Sequence, residues 1–415
     1  MNYNLNRKPN LSQAVIFCGG LGTRLGNITR NYSKPLLKIN NKNFILYLIK
    51  NLFRYGITEA LLLCHYKYKD YKRLFNNKKY FGVKIKCVYE KELLGSAGAL
   101  INAKKYLKPI FLVSNGDTFF NFNILDLYKK FYSEKKIGIV ALTKKKFEKN
   151  RYGSFRKNKS GLLNLKDKMH KDDFLIYTGI SILKKKIISY TKKNSSLEDR
   201  TFSVLAQKKL LQAEVYKDRT NKFIDIGIKK DFYRAHNFLR SVIKKPAIFL
   251  DRDGIVNLDK GYVHKVKDFI WRSGVKKLIK YFNDNNYYVF VITNQSGVGR
   301  GYYSEKKVIA LHNWVNKKLQ KYGAYIDDFF YAPYYEFSEK KKYRKNQSLR
   351  KPNIGMFIQA KKRWVIDTKN SYVIGDKSSD INFATNCKLT GILINKKDNL
   401  YNKVTKIIKK NYYKS

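Results

Sequence analysis

Phe249-Leu250-Asp251-Arg252-Asp253-Gly254 closes a short apolar run with two aspartates one residue apart, and this stretch decides the fold of the second half. Ala247 to Leu250 reads as a buried parallel strand, so Asp251 and Asp253 fall at its carboxyl end, where open α/β sheets gather their ligands. Gly254 permits the tight turn that follows. Carboxylates this close repel unless a cation lies between them, so the pair points to a Mg²⁺ site with one oxygen left to attack phosphorus. A solvated Asp pair in a loop is the alternative. Downstream, Thr293-Asn294-Gln295-Ser296-Gly297 ends a second strand, Arg350-Lys351-Pro352 lies in a later loop, and Gly375-Asp376-Lys377-Ser378-Ser379-Asp380 ends a further strand. A hydroxyl and a lysine suit the oxygens of a transferring phosphoryl group, and the added carboxylates suit the metal. Taken singly, these are a strand end, a surface charge and a turn; four in this order favour phosphoryl chemistry.

Over about residues 246 to 400 these motifs resemble the haloacid dehalogenase-like phosphatases. The resemblance implies Asp251 as the nucleophile that becomes an aspartyl phosphate and Asp253 as the acid and base. It implies Thr293 and Lys351 as phosphoryl-group ligands, and Mg²⁺ held by Asp251, Asp376 and the backbone carbonyl of Asp253, with Asp380 ordering the loop or a metal-bound water. Asp-Arg-Asp-Gly, Thr-Asn-Gln-Ser-Gly, Arg-Gly-Tyr-Tyr and Arg-Lys-Pro are most similar to the D-glycero-D-manno-heptose 1,7-bisphosphate 7-phosphatases, with the histidinol-phosphate phosphatases close by. Substrate contacts are then implied at Asp259, Gly261 and Tyr262, at Asn294, Gln295 and Ser296, and at Arg350 and Lys377, Arg350 reading the second phosphate. Those families carry a Cys/His zinc loop before Arg-Lys-Pro. This chain has Ala332-Pro333-Tyr334-Tyr335 and Gln347-Ser348-Leu349 there, so no structural zinc is expected. Packing by Tyr331, Tyr334 and Tyr335 is expected to hold the loop instead.

The first half alternates strands at Gln13 to Cys18, Ala60 to His65, Val83 to Tyr89 and Ile110 to Asn115 with helices at Phe44 to Tyr55 and Ala97 to Tyr106, which predicts a mostly parallel sheet. After the first strand comes Gly19-Gly20-Leu21-Gly22-Thr23-Arg24-Leu25, then Lys34-Pro35-Leu36. A glycine-rich turn lets backbone N–H groups approach phosphates, and Arg24 and Lys34 neutralise charge building on a triphosphate. A structural turn is the bland alternative. Over about residues 12 to 236 the chain resembles the sugar-phosphate nucleotidyltransferases. That likeness implies nucleotide contacts at Gly19, Gly20, Gly22 and Thr23 and in Leu94-Gly95-Ser96-Ala97-Gly98, and a Mg²⁺ carboxylate in Asn115-Gly116-Asp117-Thr118. It also implies sugar contacts in Tyr177-Thr178-Gly179-Ile180 and Ser196-Leu197-Glu198, a second metal carboxylate at Asp225, and a sugar-phosphate contact at Asp167-Lys168. The wording at 115 to 120 is most like the guanylyltransferases of heptose 1-phosphate, which points to GTP.

The expected fold is therefore α/β in two domains: residues 1–243 with a Rossmann-like mixed sheet, and residues 246–415 with a Rossmannoid parallel sheet of strands at Ala247 to Leu250, Tyr288 to Ile292, Tyr372 to Ile374 and Gly391 to Ile394. Val308, Leu311, Val315 and Leu319 recur at helical spacing behind Ser304, a candidate cap. At 415 residues the chain is long enough for two or more cores. With 87 Lys and Arg against 31 Asp and Glu, the net charge is +56. The excess is spread along the chain in company with Asn, Tyr and Phe, so it favours phosphorylated small substrates over a specific nucleic-acid site. Four scattered cysteines make neither a disulfide framework nor a thiolate zinc site. No run reaches membrane-spanning length and the amino terminus carries no leader-like apolar segment, so no membrane partner and a cytoplasmic location are expected.

Three functions fit. The first is a bifunctional enzyme that hydrolyses heptose 1,7-bisphosphate and couples heptose 1-phosphate to a nucleotide, with oligomeric state open. The second is a phosphatase of histidinol phosphate or another sugar phosphate. The third makes the first half a nucleotide- or polyanion-binding module without catalysis.

Overall fold

The computed structural model describes residues 10–131, 135–144, 154–157, 163–165, 175–216, 222–345 and 347–412; the expected Asp167 and Lys168 contact lies outside them. Internal contacts divide the chain into two compact units, Met1–Arg240 and Ser241–Ser415.

In the first unit, Gln13–Phe17 sits at the centre of the sheet, parallel to Glu59–Cys64 on one side and to Ile110–Asn115 on the other. Val83–Tyr89 extends it in parallel beyond Glu59–Cys64. The direction then reverses: Leu175–Lys184 runs antiparallel to both Ile110–Asn115 and Gly138–Lys144, and Leu211–Tyr216 pairs parallel with the latter. Ala14, Val15 and Ile16 are completely buried, as a strand covered on both faces requires. The Phe44–Arg54 helix turns Phe44, Ile45, Leu48, Ile49 and Leu52 inward at spacings of three and four. The expected helix from Ala97 to Tyr106 is instead an α-helix over Gly95–Asn102 followed by a 3-10 turn over Lys104–Tyr106. A separate antiparallel ribbon joins Thr118–Asn121 to Lys222–Asp225, with Asp225 opposite Thr118.

The second unit holds one five-stranded, all-parallel sheet in the order Asp328–Ala332, Tyr288–Asn294, Ala247–Leu250, Tyr372–Gly375, Thr390–Leu393. Asp328–Ala332 is absent from the sequence expectation. It is an edge strand with only part of its length buried, and its short Phe329-Phe330-Tyr331-Ala332 run lies between Asp327-Asp328 and Pro333. On the Glu305–Tyr322 helix, Val308, Leu311, Val315 and Leu319 are all buried. Ser304 occupies the cap position, but its side chain makes no capping hydrogen bond; its carbonyl accepts from Lys307 N and Val308 N instead. Among the described residues no helix is long and apolar enough to cross a membrane.

Candidate active sites

In the second unit the strand order puts the ends of Ala247–Leu250, Tyr288–Asn294 and Tyr372–Gly375 side by side, which collects Asp251, Thr293 and Asp376. Lys351 reaches in from its loop. Its Nζ donates to Asp251 Oδ1 at 2.8 Å, to Asp380 Oδ1 at 2.6 Å and to Ile292 O at 3.3 Å. Burial alone would discharge this lysine, but the two carboxylates outweigh it and raise its pKa. Burial pushes Asp251 up to about 6 against the pull of Lys351. Asn294 holds Lys351 in place through both backbone groups, Oδ1 accepting from Lys351 N at 3.0 Å and Nδ2 donating to Lys351 O at 3.2 Å.

Asp251, Asp376 and Asp380 each offer an oxygen within 4.8 Å of the others. Asp376 Oδ1 is buried with no hydrogen-bond partner among the described residues. A buried, unpartnered carboxylate oxygen beside two more carboxylates fits a hard divalent cation. Asp380 is fully engaged, with Oδ1 on Lys351 and Oδ2 accepting from Lys377 N at 3.1 Å. Gly254, at φ +96°, is required: a Cβ there would lie 2.1 Å from Asp376 Oδ2.

The Asp253 carboxylate, expected as the acid and base with only its backbone carbonyl at the metal, is not part of this carboxylate group. It accepts from Arg252 Nη2 at 2.8 Å, Asn257 Nδ2 at 2.9 Å and Gln295 Nε2 at 3.1 Å. Three donors fix it because Arg252 is buried beside it and cannot turn to solvent. Gln295 also donates to Thr293 Oγ1 and accepts from Tyr303 Oη. The side chains of Asn294 and Gln295, expected on the substrate, therefore order Lys351 and Asp253. Asp259 pairs with Lys377 at 3.1 Å and accepts from Gly261 N. Burial would raise its pKa, but these donors lower it. Tyr262 meets Tyr302 edge to face at 4.9 Å, both exposed. Ser296 begins the short Ser296–Gly299 helix. Arg350 Nη1 donates to Tyr334 O at 3.4 Å.

In the first unit the loop after Gln13–Phe17 turns at Gly22, φ +77°, where a Cβ would press on Thr29 and on the Lys34 stem. Thr23 and Arg24 are exposed. Lys34 Nζ meets Asp117 Oδ2 at 2.8 Å. The ribbon brings Asp225 to the same place, since Ile226 N donates to Asp117 O at 2.9 Å, and Asp225 Oδ1 accepts from Gly227 N at 2.6 Å. Arg24 Nη2 lies 3.6 Å from where a Cβ on Gly227 would stand.

The Gly95 and Glu198 segments, expected to touch different parts of the substrate, are in contact. A Cβ on Gly95 would lie 2.5 Å from Ser195 O, and Ser96 Oγ donates to Glu198 Oε2 at 3.2 Å while accepting from Leu197 N. Gly98 is buried against Leu94 and the Asn194 backbone. Gly179 stands at the bulge of Leu175–Lys184 with φ +74°, against Asn115. Gly19 and Gly20 flank the loop mouth, and Gly20 has open space beside it.

Sequence reading missed Glu90. It follows Val83–Tyr89 and is only 4% exposed, and its Oε1 lies 3.3 Å from where a Cβ on Gly19 would stand. Among the described residues its carboxylate has no hydrogen-bond partner, and burial pushes it up to about 7 despite His65. The usable signal was an acidic residue ending an apolar parallel strand beside the glycine loop.

The second unit thus has the parallel sheet and strand-end carboxylates of a phosphoryl-group hydrolase, and the first has the mixed sheet and glycine loop of a nucleotidyl-transferring enzyme. Residues 13–242 match the model of the nucleotidyl transferase family, and residues 248–402 match that of polynucleotide kinase 3 phosphatase. The chain belongs to the nucleotidyl transferase family through its first unit, and its second unit belongs with the haloacid dehalogenase-like heptose bisphosphate phosphatases. Over 151 residues it is 41% identical to a D-glycero-beta-D-manno-heptose-1,7-bisphosphate 7-phosphatase of Rhodopseudomonas palustris, covering 36% of this chain and 84% of that protein. Over 223 residues it is 36% identical to the D-glycero-alpha-D-manno-heptose 1-phosphate guanylyltransferase of Campylobacter jejuni, covering 53% of this chain and 97% of that one. The crystal structure of HddC from Yersinia pseudotuberculosis is 29% identical, covers 55% of this chain and all of that one, and gives a TM-score of 0.46.

Proposed function

We propose that this chain is a bifunctional enzyme of activated-heptose synthesis. Its second unit removes the 7-phosphate of D-glycero-D-manno-heptose 1,7-bisphosphate, and its first unit couples the resulting heptose 1-phosphate to GTP. The observation that carries the reading is Lys351 bridging Asp251 and Asp380 beside the unpartnered Asp376 oxygen, a site poised for phosphoryl transfer. A further relative of the second unit, the D-glycero-alpha-D-manno-heptose-1,7-bisphosphate 7-phosphatase of Campylobacter jejuni, and the guanylyltransferase relative of the first carry the names of consecutive reactions on the same anomer, which supports one chain holding both.

In the phosphatase, the Asp251 carboxylate attacks phosphorus and the bond to the C7 oxygen breaks. Asp253, held by Arg252, Asn257 and Gln295, delivers the proton to the leaving alkoxide and then takes one from the water that hydrolyses the aspartyl phosphate. Thr293 and Lys351 hold the phosphoryl oxygens, while Arg350, Lys377, Tyr262 and Ser296 bind the rest of the sugar phosphate. Asp251, Asp376 and the Asp253 carbonyl would hold a Mg²⁺ ion, which would neutralise phosphoryl charge. In the transferase, a sugar 1-phosphate oxygen attacks the α-phosphorus of GTP in line, with pyrophosphate leaving. Arg24 and Lys34 neutralise the triphosphate, Asp117 and Asp225 would hold a Mg²⁺ ion that would share that charge, and Gly179 and Glu198 line the sugar side. The guanine preference is supported by Glu90, an acceptor-only carboxylate when ionised that matches the N1–H and amino donors of guanine. Reliance on a nucleoside triphosphate supports a cytoplasmic setting.

The test is incubation with heptose 1,7-bisphosphate, Mg²⁺ and each nucleoside triphosphate, following phosphate, pyrophosphate and sugar nucleotide. GDP-heptose should form with release of both anions. A preference for histidinol phosphate over the bisphosphate would overturn the phosphatase assignment, and nucleotide binding without pyrophosphate release would overturn the transferase.

A further inference from the structure

The chain carries no Cys or His between His312 and Cys387, yet the stretch leading to Arg350 is organised around one side chain, the carboxylate of Glu305. This residue opens the Glu305–Tyr322 helix and accepts two hydrogen bonds, from Tyr331 Oη to Oε2 at 2.8 Å and from Tyr343 Oη to Oε1 at 2.9 Å. Tyr331 belongs to the edge strand and lies in register with Thr293. Tyr343 belongs to the short Lys341–Arg344 helix, within the excursion that follows that strand. The two phenols are thus drawn from opposite ends of the segment onto one anion.

From there the ties lead to Arg350. Tyr343 O accepts from Tyr335 N at 2.9 Å, and the carbonyl of the adjacent Tyr334 accepts from Arg350 Nη1 at 3.4 Å. Two cross-ties come from the turn after Thr293: the Arg300 guanidinium lies 3.7 Å over the Tyr335 ring, and Ser338 Oγ donates to Gly299 O at 2.5 Å. Tyr343 packs with Val298, Tyr303 and Val308, and Tyr331 and Tyr334 lie against that cluster. Burial first, with the Glu305 carboxylate adding to it, raises both Tyr331 and Tyr343, so both phenols remain donors at neutral pH. Hydrogen bonds to an ionised acceptor are about twice as strong as neutral ones, which suits a single carboxylate to hold two segments.

We propose that Glu305 is a positioning residue for Arg350, joining the edge strand to the excursion through two tyrosine hydroxyls and thereby setting how the second phosphate of the substrate is bound. The proposal rests on the bisphosphate reading given above. Glu305 acts through Arg350 and leaves the chemistry of Asp251 alone, so its loss should weaken recognition of the second phosphate without slowing attack on the first.

The experiment uses the full chain with Mg²⁺ and two substrates, heptose 1,7-bisphosphate and p-nitrophenyl phosphate, which has no second phosphate. Glu305→Gln and, separately, Tyr343→Phe should raise KM for the bisphosphate about tenfold with kcat within about twofold, and leave p-nitrophenyl phosphate hydrolysis unchanged. In an Arg350→Ala background, Glu305→Gln should add nothing further to KM, since the two act as one unit. Unchanged KM in both variants, an equal loss on both substrates, or additive losses with Arg350→Ala would each overturn the proposal. Should Glu305→Gln fail to fold, Tyr343→Phe decides the same outcomes. If the unaltered chain itself shows no preference for the bisphosphate, the substrate assignment falls first and this inference falls with it; a preference kept intact in both variants removes the inference alone.

Discussion

At the scale of single residues, burial and partnering decide which carboxylates do chemistry. Asp251 shares Lys351 with Asp380, and Asp251→Asn keeps the shape while removing the proposed nucleophile. Phosphate release should fall by at least about a thousandfold, with sugar nucleotide formation from supplied heptose 1-phosphate unaffected. Glu90 gives a pH prediction. Its pKa in the folded protein, about 7, lies above the ordinary carboxylate value, so it binds a proton between about pH 4.5 and pH 7 that an unfolded chain would release. Its burial therefore favours folding at the acidic end of that window, and the contribution is lost as pH rises through 7. On the proposed reading, guanine offers donors to Glu90 and needs its ionised form. KM for GTP should accordingly rise about tenfold per pH unit below 7, and Glu90→Gln should flatten that profile; a profile that Glu90→Gln leaves unaltered would contradict the role.

At the scale of elements, backbone geometry brings the sites together. The turn after Ala247–Leu250 passes so close to Asp376 that Gly254→Ala has no room, and its left-handed φ adds about 1–2 kcal/mol of strain. This variant should lose most phosphatase activity while the transferase keeps its own. Gly95→Ala should do the reverse, because its Cβ would meet the Ser195 carbonyl at 2.5 Å and part the loop from the Glu198 segment; pyrophosphate release should drop at least about tenfold. The strand-end aspartates were legible in the sequence because Asp251 and Asp376 directly follow an apolar strand and Asp117 comes two residues after one, and a strand end is a local pattern. The edge strand Asp328–Ala332 and the split of the Gly95 helix were not, since partial burial and a 3-10 turn leave no clean periodicity. The hydrogen bonds of Asn294 and Gln295 were not legible, because their partners Lys351 and Asp253 come from other loops.

At the scale of the whole molecule, the two activities should separate cleanly. A mixture of Asp117→Ala protein, expected to retain phosphate release, with Asp251→Asn protein, expected to retain transfer, should convert the bisphosphate to sugar nucleotide with a lag as heptose 1-phosphate accumulates. No conversion by the mixture would show that the intermediate does not pass through solution. The net charge of +56 belongs to this scale too, as a diffuse attraction for phosphorylated substrates that salt screens.

The sequence by itself determined two α/β halves, the strand-end aspartates, the lysines that answer them and the glycines their turns require, because these depend on patterns within a few residues. Only the tertiary structure decided which carboxylates remain unpartnered, that Glu90 stands beside Gly19, and that Glu305 gathers Tyr331 and Tyr343 where the chain has neither cysteine nor histidine. Burial and hydrogen-bond partners are properties of neighbours in space, and the packing of separate strands and loops sets them.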